Sequence, residues 1–378
     1  MLEELIDTLG LPALVLIIVG VALLIVVILL MSYFNAILTI INFTYPNAKL
    51  RAIGNPYVKI EEINRLIEST SLNEILSKLR DKDYDLPKEI ESGDLTDIER
   101  KLEENQVSSI KKAYKSVPSE VKPFMNKWLM RYDIKMVKRA IKGKSRGVEG
   151  EKLAERLIPV KEIDEEKIED IKSARDKGEL ISIFSDTRFG KVIQGMEDED
   201  DYFKLDIKLD KFLFEELKRA VRKIGSEEKT SIRFFFGNYT DILNLKTIIR
   251  GLKEGMDEEI LKEALLPSGR ELEEWKLNNM IESGSIEEAL VELEGTSYDD
   301  LKDVGSEDTQ FAIEKLLDKK LLKLVSEIYS RKILTIGPLL KYLVAKDMEL
   351  RNLKIVLRGK VEGLDTDKIK DMLVMEDV

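Results

Sequence analysis

Three segments of the chain repeat one pattern of apolar and polar positions at an interval of 108 residues. They read DIKMVKRAIKG, DILNLKTIIRG and ELRNLKIVLRG, and they begin at Asp133, Asp241 and Glu349. In each segment apolar residues stand at the second, fifth and ninth positions, which one face of an α-helix brings together. The pattern therefore predicts the same buried helix three times.

Each predicted helix is followed by two glycines in phase. The first glycines are Gly143, Gly251 and Gly359, and the second ones, four residues further on, are Gly147, Gly255 and Gly363. Since glycine tolerates the left-handed conformation at a helix end, we predict that the first glycine of each copy ends its helix. An acidic residue follows each second glycine by two positions, and in the second and third copies it is an aspartate suited to cap a new helix. Each copy is therefore predicted to contain a helix, a glycine-bounded turn and a second helix.

Polar side chains also match between the second and third copies. Asn244 and Asn352 occupy equivalent positions, where the first copy has Met136. Two interpretations stay open for these amides, namely contacts at an interface or hydrogen-bonded groups on a helix surface.

A second landmark recurs at nearly the same interval. Short amphipathic segments end in a polar turn and an aromatic residue at Tyr84, Phe189 and Tyr298. A unit of about 108 residues exceeds the 20–50 residues of a solenoid repeat, so we predict three small helical bundles in tandem. The predicted fold is all-α, with a transmembrane helix in residues 1–42 and helical repeats in 43–149, 150–257 and 258–378.

The chain carries no charge between Asp7 and Lys49, and the stretch from Leu11 to Met31 is almost wholly apolar. About 20 apolar residues in a helix cross a bilayer core of about 30 Å, so this stretch predicts a transmembrane helix. A buried core helix is the alternative, whereas a signal peptide lacks support because acidic residues precede the stretch. Basic residues follow the stretch, which predicts a single-pass protein of the cell membrane with most of the chain cytoplasmic. The apolar character continues towards Tyr45, which suggests that the helix runs on into the soluble part.

The composition argues against an enzyme. Among 378 residues there is no histidine and no cysteine, which removes the commonest general base, thiol nucleophiles and most zinc sites. We predict no catalytic residue, no cofactor and no metal. The formal net charge of −11 disfavours nucleic acid as a partner.

The charge is unevenly distributed. Residues 109–147 hold twelve Lys and Arg against two acidic residues, and the acidic run EDEDD occupies residues 197–201. Lys138, Arg139 and Lys142 are the candidate basic docking patch, for an acidic partner or lipid headgroups. Ordinary solvated helix faces would give the same pattern, and this alternative stays open.

These landmarks resemble the C-subunit family of archaeal and bacterial A/V-type ATP synthases, whose counterpart in eukaryotic V-type ATPases is the d subunit. The resemblance covers residues 43–376 and includes an aromatic followed by Asn-Ala-Lys-x-Arg in YPNAKLRA, residues 45–52. It also includes the repeated Asn-Leu-Lys motif, the stretch LLPSGRELEEWKL and, most strongly, residues 334–364.

The resemblance implies three helical bundles around a pseudo-threefold axis, forming a funnel. Such a funnel seats the central stalk subunits of the D/F type and rests on the membrane rotor ring of proteolipid subunits, with one copy per complex. It transmits torque for proton or sodium transport and for ATP synthesis or hydrolysis, without an active site of its own. Two alternatives remain: a membrane-anchored helical-repeat scaffold that recruits soluble partners, and a membrane-anchored hydrolase that uses carboxylates.

Overall fold

The computed structural model describes residues 11–53, 56, 60–81, 84–87, 95–196, 202–225, 228–267, 269–304 and 309–376. No strand occurs among these residues, which confirms the predicted all-α class. The acidic run at residues 197–201 lies outside the described residues. The helices are α1 (Leu11–Ile53), α2 (Ile60–Ile67), α3 (Leu72–Arg80), α4 (Thr96–Ser116), α5 (Lys122–Ser145), α6 (Gly150–Ala154), α7 (Glu165–Ser173), α8 (Lys177–Ile183), α9 (Gly190–Ile193), α10 (Tyr202–Lys223), α11 (Glu228–Glu254), α12 (Glu258–Ala264), α13 (Glu274–Glu282), α14 (Ile286–Val291), a 3-10 helix (Asp299–Asp303), α15 (Thr309–Arg331), α16 (Gly337–Val361) and α17 (Thr366–Met372).

Helix α1 is much longer than the apolar stretch that predicted it. It has 43 residues, which corresponds to about 65 Å at 1.5 Å per residue. Its side chains are exposed from Val15 to about residue 35, whereas Phe43 and Leu50 near its C-terminal end are buried. The helix therefore crosses the predicted boundary at residues 42 and 43 and joins the body of the protein without a break.

The first glycine of each copy allows a close crossing of two helices. A Cβ atom on Gly143, Gly251 or Gly359 would fall under 3.0 Å from a side-chain atom of Leu153, Leu261 or Ile369, respectively. These three apolar residues lie on the short helices α6, α12 and α17, ten positions after their glycines. The short helix thus packs directly against the backbone of the long one.

The left-handed conformation belongs to the second glycine and not, as predicted, to the first. The φ angles of Gly147, Gly255 and Gly363 are 72°, 64° and 68°, whereas each first glycine continues its helix. The physical reason is that each turn is closed one step later, by a hydrogen bond from the residue after the second glycine to the carbonyl of the first. For Gly251 this bond runs from the Met256 amide over 2.9 Å.

Matching N-caps begin α3, α8 and α14. The side chains of Ser71, Asp176 and Ser285 accept hydrogen bonds from the amides of the residues three positions on, which are Glu74, Glu179 and Glu288. This is the first half of a capping box, and it fixes where each short helix starts. The aromatic landmarks Tyr84, Phe189 and Tyr298 that follow are all buried.

The short helices pack on the long helix that precedes them in the cycle of copies. Helix α8 contacts α5, and α13 and α14 contact α11. Helices α2 and α3, from the start of the soluble part, contact α16 near the end of the chain. They share with it a separate core cluster that includes Ile75, Leu79 and Val356. Packing thus groups each long helix with the next short helices, across the predicted repeat boundaries, which stay a prediction about the chain order.

The tight crossing at Gly251 gives a prediction with a built-in control. We expect Gly251→Ala to destabilise the protein by about 1–3 kcal/mol through overpacking against Leu261, although alanine normally favours a helix over glycine. In a Leu261→Ala background the space is available, so the same substitution should become neutral or stabilising. Denaturant unfolding of the two single variants and the double variant measures this coupling. Equal effects of Gly251→Ala in both backgrounds would contradict the close approach.

Candidate functional site

Helices α5 and α10 are joined by two ion pairs one helical turn apart. The Lys138 ammonium lies 2.7 Å from an Asp210 carboxylate oxygen, and the Lys142 ammonium lies 2.5 Å from an Asp206 carboxylate oxygen. Both pairs are partly buried. Positions i and i+4 share a face on both helices, so the two pairs form successive links between them.

The same two links recur between two other pairs of helices. Adding 108 to the residue numbers of the cations gives the next set each time. We call these six ion pairs the charge rungs. They are Lys138–Asp210 and Lys142–Asp206 between α5 and α10, Lys246–Asp318 and Arg250–Glu314 between α11 and α15, and Lys354–Glu103 and Arg358–Glu99 between α16 and α4.

The order of these contacts returns to its starting point. The first long helix, α5, pairs with an acidic helix that follows it, and so does the second, α11. The third, α16, pairs with α4, which lies before all of them in the sequence. The rung between Lys354 and Glu103 spans 2.6 Å across 251 residues of chain. The first and third copies are therefore in direct contact.

Three residues at equivalent positions of the copies meet one another. Arg131, Tyr239 and Asp347 are spaced by 108 residues. The Arg131 guanidinium donates to the Tyr239 hydroxyl over 3.3 Å and to an Asp347 carboxylate oxygen over 2.8 Å. It also lies over the ring of Trp128, with 4.1 Å between the guanidinium carbon and the ring centroid. Although burial alone would lower the pKa of Arg131, the Asp347 carboxylate raises it above its ordinary value.

Glu103 is the most enclosed carboxylate of the charge rungs that involve α4. Burial alone would raise its pKa, but Lys135, Arg139 and Lys354 outweigh burial and lower the pKa to about 2. The distances from Glu103 oxygens to the nitrogens of these three cations are 3.1, 2.8 and 2.6 Å. Glu103 therefore stays charged at every physiological pH, and cations surround it.

The candidate basic docking patch is engaged within the chain. Lys138 and Lys142 pair with α10, and Arg139 pairs with Glu103 on α4. Each side chain exposes a third of its area or less. These three residues thus hold copies together, and neither a free docking patch nor a fully solvated face describes them. Sequence reasoning missed the acidic partners because they stand 36–72 residues away.

The acidic residues that open the repeated segments have two different roles. Oδ1 of Asp133 accepts hydrogen bonds from the amides of residues 161–163, each over 3.0 Å. The Asp241 carboxylate accepts from residues 270–272 in the same way. Burial raises the pKa of both carboxyls to about 6 against the effect of the amide donors. Glu349, at the third position, forms an ion pair with Lys346 instead.

The repeated amides are internal and not surface groups. Asn244 exchanges two hydrogen bonds with the backbone of Leu266, over 2.8 and 3.0 Å, and is fully buried. Asn352 does the same with Val374, also 22 residues on, over 2.7 and 3.0 Å. The Met136 sulfur accepts from the Ile158 amide at the equivalent place over 3.2 Å. Neither predicted interpretation was right, because each amide binds the extended segment after its short helix.

Comparison with known proteins gives the family of the chain. The ATP synthase (C/AC39) subunit family matches residues 46–372. The chain belongs to this family. The match includes all three long helices, all six charge rungs and the C-terminal end of α1, and it confirms the resemblance seen in the sequence.

Curated relatives of the chain carry the same description. It is 29% identical over 346 residues to the C subunit of the A-type ATP synthase of Methanocaldococcus jannaschii, a match that covers 88% of this chain and 86% of that protein. The corresponding C subunit of Methanothermobacter thermautotrophicus is 27% identical, with 92% and 91% covered. That of Pyrococcus abyssi is 24% identical, with 88% and 90% covered.

Helix α1 is the second candidate feature, and it lies mostly outside the family match. Among the described residues it is the one helix long and apolar enough to cross a membrane, by length and composition. The most apolar part of this helix buries none of its surface against the rest of the chain. The family assignment and this helix together support membrane association of an ATP synthase subunit.

The charge rungs predict a specific rescue. Lys138→Glu with Lys142→Glu should lower the free energy of unfolding by about 1–3 kcal/mol, since two attractive pairs become repulsive. Adding Asp206→Lys and Asp210→Lys reverses both pairs and should restore most of the loss. Lys152→Glu, on an exposed side chain outside the rungs, is the charge control. If the fourfold variant is less stable than the twofold one by denaturant unfolding, the rungs do not act as pairs.

A pH dependence follows from Asp133. Its folded pKa of about 6 lies above the ordinary value of 3.8, so the folded protein binds more protons than the unfolded chain between these values. The stability of the wild type should therefore fall by up to about 3 kcal/mol, relative to Asp133→Asn, as pH rises from about 4 to 7. Urea unfolding of both proteins across this range gives the difference. A difference that stays flat, or a wild type that gains stability with pH relative to the variant, would disprove the raised pKa.

Proposed function

We propose that the chain is the central-rotor socket of an A/V-type ATP synthase. In this role three helical bundles surround a pseudo-threefold axis and form a funnel. The funnel holds the foot of the central stalk, formed by subunits of the D/F type, and rests on the membrane rotor ring of proteolipid subunits. It transmits torque between them, in one copy per complex, during proton or sodium transport coupled to ATP synthesis or hydrolysis.

The closed cycle of charge rungs carries this proposal. A torque-bearing part between a rotating shaft and a ring must surround their common axis, and a linear array of bundles would leave an open side. The rungs join the third copy to the first, and the contact of Arg131 with Tyr239 and Asp347 brings equivalent positions of all three copies together. Both observations support a pseudo-threefold axis running between α5, α11 and α16.

The proposed role needs no catalytic site in this chain. The complete sequence has no histidine or cysteine, and the clustered carboxylates of the rungs face lysine and arginine partners. A carboxylate such as that of Glu103, with its pKa held at about 2, is a poor general base at physiological pH. The chemistry of ATP therefore belongs to other subunits of the complex.

Helix α1 is proposed to cross the membrane inside the lumen of the rotor ring. A socket seated over the ring has its axis over the central hole, so a helix from that socket avoids the ring wall only by entering the hole. An uncharged helix with apolar side chains all round suits either lipid or apolar ring walls there. Lys49 and Arg51 follow the apolar part and favour a cytoplasmic body, with a single pass of the cell membrane.

Truncation tests both parts of the proposal. A tagged chain lacking residues 1–41 keeps Phe43 and Asn47, which anchor the end of α1 in the body, so it should fold. We expect the full chain to co-purify with stalk and ring subunits in mild detergent. The truncated chain should co-purify with stalk subunits but leave the membrane at lower salt, because only surface contacts then hold it to the ring.

The control is a chain with residues 15–31 replaced by another apolar helix of equal length, which should behave like the wild type. Failure of the full chain to retain any ATP synthase subunit would exclude the socket role. Equal retention of the truncated and full chains on membranes would exclude the tether while leaving the socket role intact.

A further inference from the structure

A cavity of about 780 Å³ lies at the seam where the third copy meets the first. Helices α4, α5 and α16 form its walls, together with the turn after α6. Its volume is within the range of about 300–1,000 Å³ that is usual for small-molecule sites. The lining residues are Leu95, Thr96, Glu99, Arg100, Glu103, Lys135, Arg139, Arg156, Lys354 and Arg358.

The described lining of this cavity is strongly positive. It contains six cationic side chains and two carboxylates, Glu99 and Glu103, so the lining carries four more positive than negative charges. Asp97 and Glu104 outside the cavity pair with Arg100, which still leaves an excess of cations among the other lining residues. The exposed guanidinium of Arg156 has no side-chain partner among the described residues. Unpaired positive charge in a concave site attracts anions, since its low-dielectric walls focus the field.

Closing the ring does not require this excess. Lys354 and Arg358 form the two rungs of the seam, and the rungs at the other two junctions have the same pattern. The cations added at the seam are Lys135, Arg139 and Arg156. Their equivalents 108 and 216 residues on are Leu243 and Arg351, Thr247 and Ile355, and Ala264 and Met372. Arg139 and Arg156 therefore have uncharged counterparts at both junctions that close without them.

We propose that this seam cavity binds an anion that carries two or more phosphate groups. Arginine forks bind phosphate oxygens in pairs, and guanidinium groups reach this cavity from α4, α5, α16 and the turn after α6. The same chemistry is offered by a free diphosphate and by a phosphorylated lipid headgroup. Because the walls come from the first and third copies, such an anion strengthens the contact that closes the ring.

The first test uses pyrophosphate as the probe and the full chain in phosphatidylcholine nanodiscs. Calorimetric titration at constant ionic strength should show saturable binding. Arg156→Gln should weaken it about tenfold, which corresponds to about 1.4 kcal/mol. The matched control is Arg175→Gln, which removes an exposed guanidinium that does not line the cavity and should leave binding unchanged. Lys135→Gln, on a different helix, should reproduce the loss and guards against misfolding of one variant.

The second test distinguishes the source of the phosphate. Thermal unfolding of the same proteins is compared in nanodiscs of phosphatidylcholine with and without a phosphatidylinositol phosphate. A rise in midpoint that Arg156→Gln abolishes and Arg175→Gln keeps identifies the lipid, and binding of pyrophosphate alone identifies a free anion. The proposal is overturned if neither probe binds, or if Arg156→Gln and Arg175→Gln weaken binding equally, since binding would then reflect net charge only.

Discussion

The contact between α16 and α4 is the one on which the architecture depends. It joins residues that are about 250 positions apart and converts a row of three helical copies into a closed cycle. Without it, α2 and α3 would lose the long helix that covers their apolar faces, because their core cluster includes Leu353, Val356 and Leu357 of α16. Covering the first short helices and closing the ring are thus one event.

The membrane helix enters the body at this same seam. The C-terminal part of α1 contacts both α4 and α16. The Asn47 side chain donates to the carbonyl of Thr335, 288 residues away, over 3.1 Å. Since Phe43 belongs to the main core, tension on the helix reaches the first and third copies together. An anchor attached to a single copy would instead pull that copy away from its neighbours.

Periodicity and glycine spacing predicted much of this fold, and charge identity predicted little of the site. The long helices, the short helices after them and the recurrence at 108 residues follow from apolar positions that only a helix brings together. The rungs were missed because a lysine on a helix face reads the same whether it meets water or a carboxylate. A signal existed: Lys138, Lys246 and Lys354 recur in phase, and so do acidic residues at 103, 210 and 318. Asn244 was misjudged because its partner is a backbone segment with no side-chain pattern.

The rungs cost desolvation, and a core of leucine and valine would join the helices as strongly. What apolar surfaces do not supply is register, because one helix can slide along another by a turn of about 5.4 Å and still bury its side chains. A single ion pair is also insufficient, since a slip of four residues brings Lys138 opposite the position of Asp206. Two rungs at each junction remove this degeneracy, because any slip leaves at least one charge in contact with apolar surface. Resistance to sliding is the property that a part transmitting torque needs, and it is the same at all three junctions.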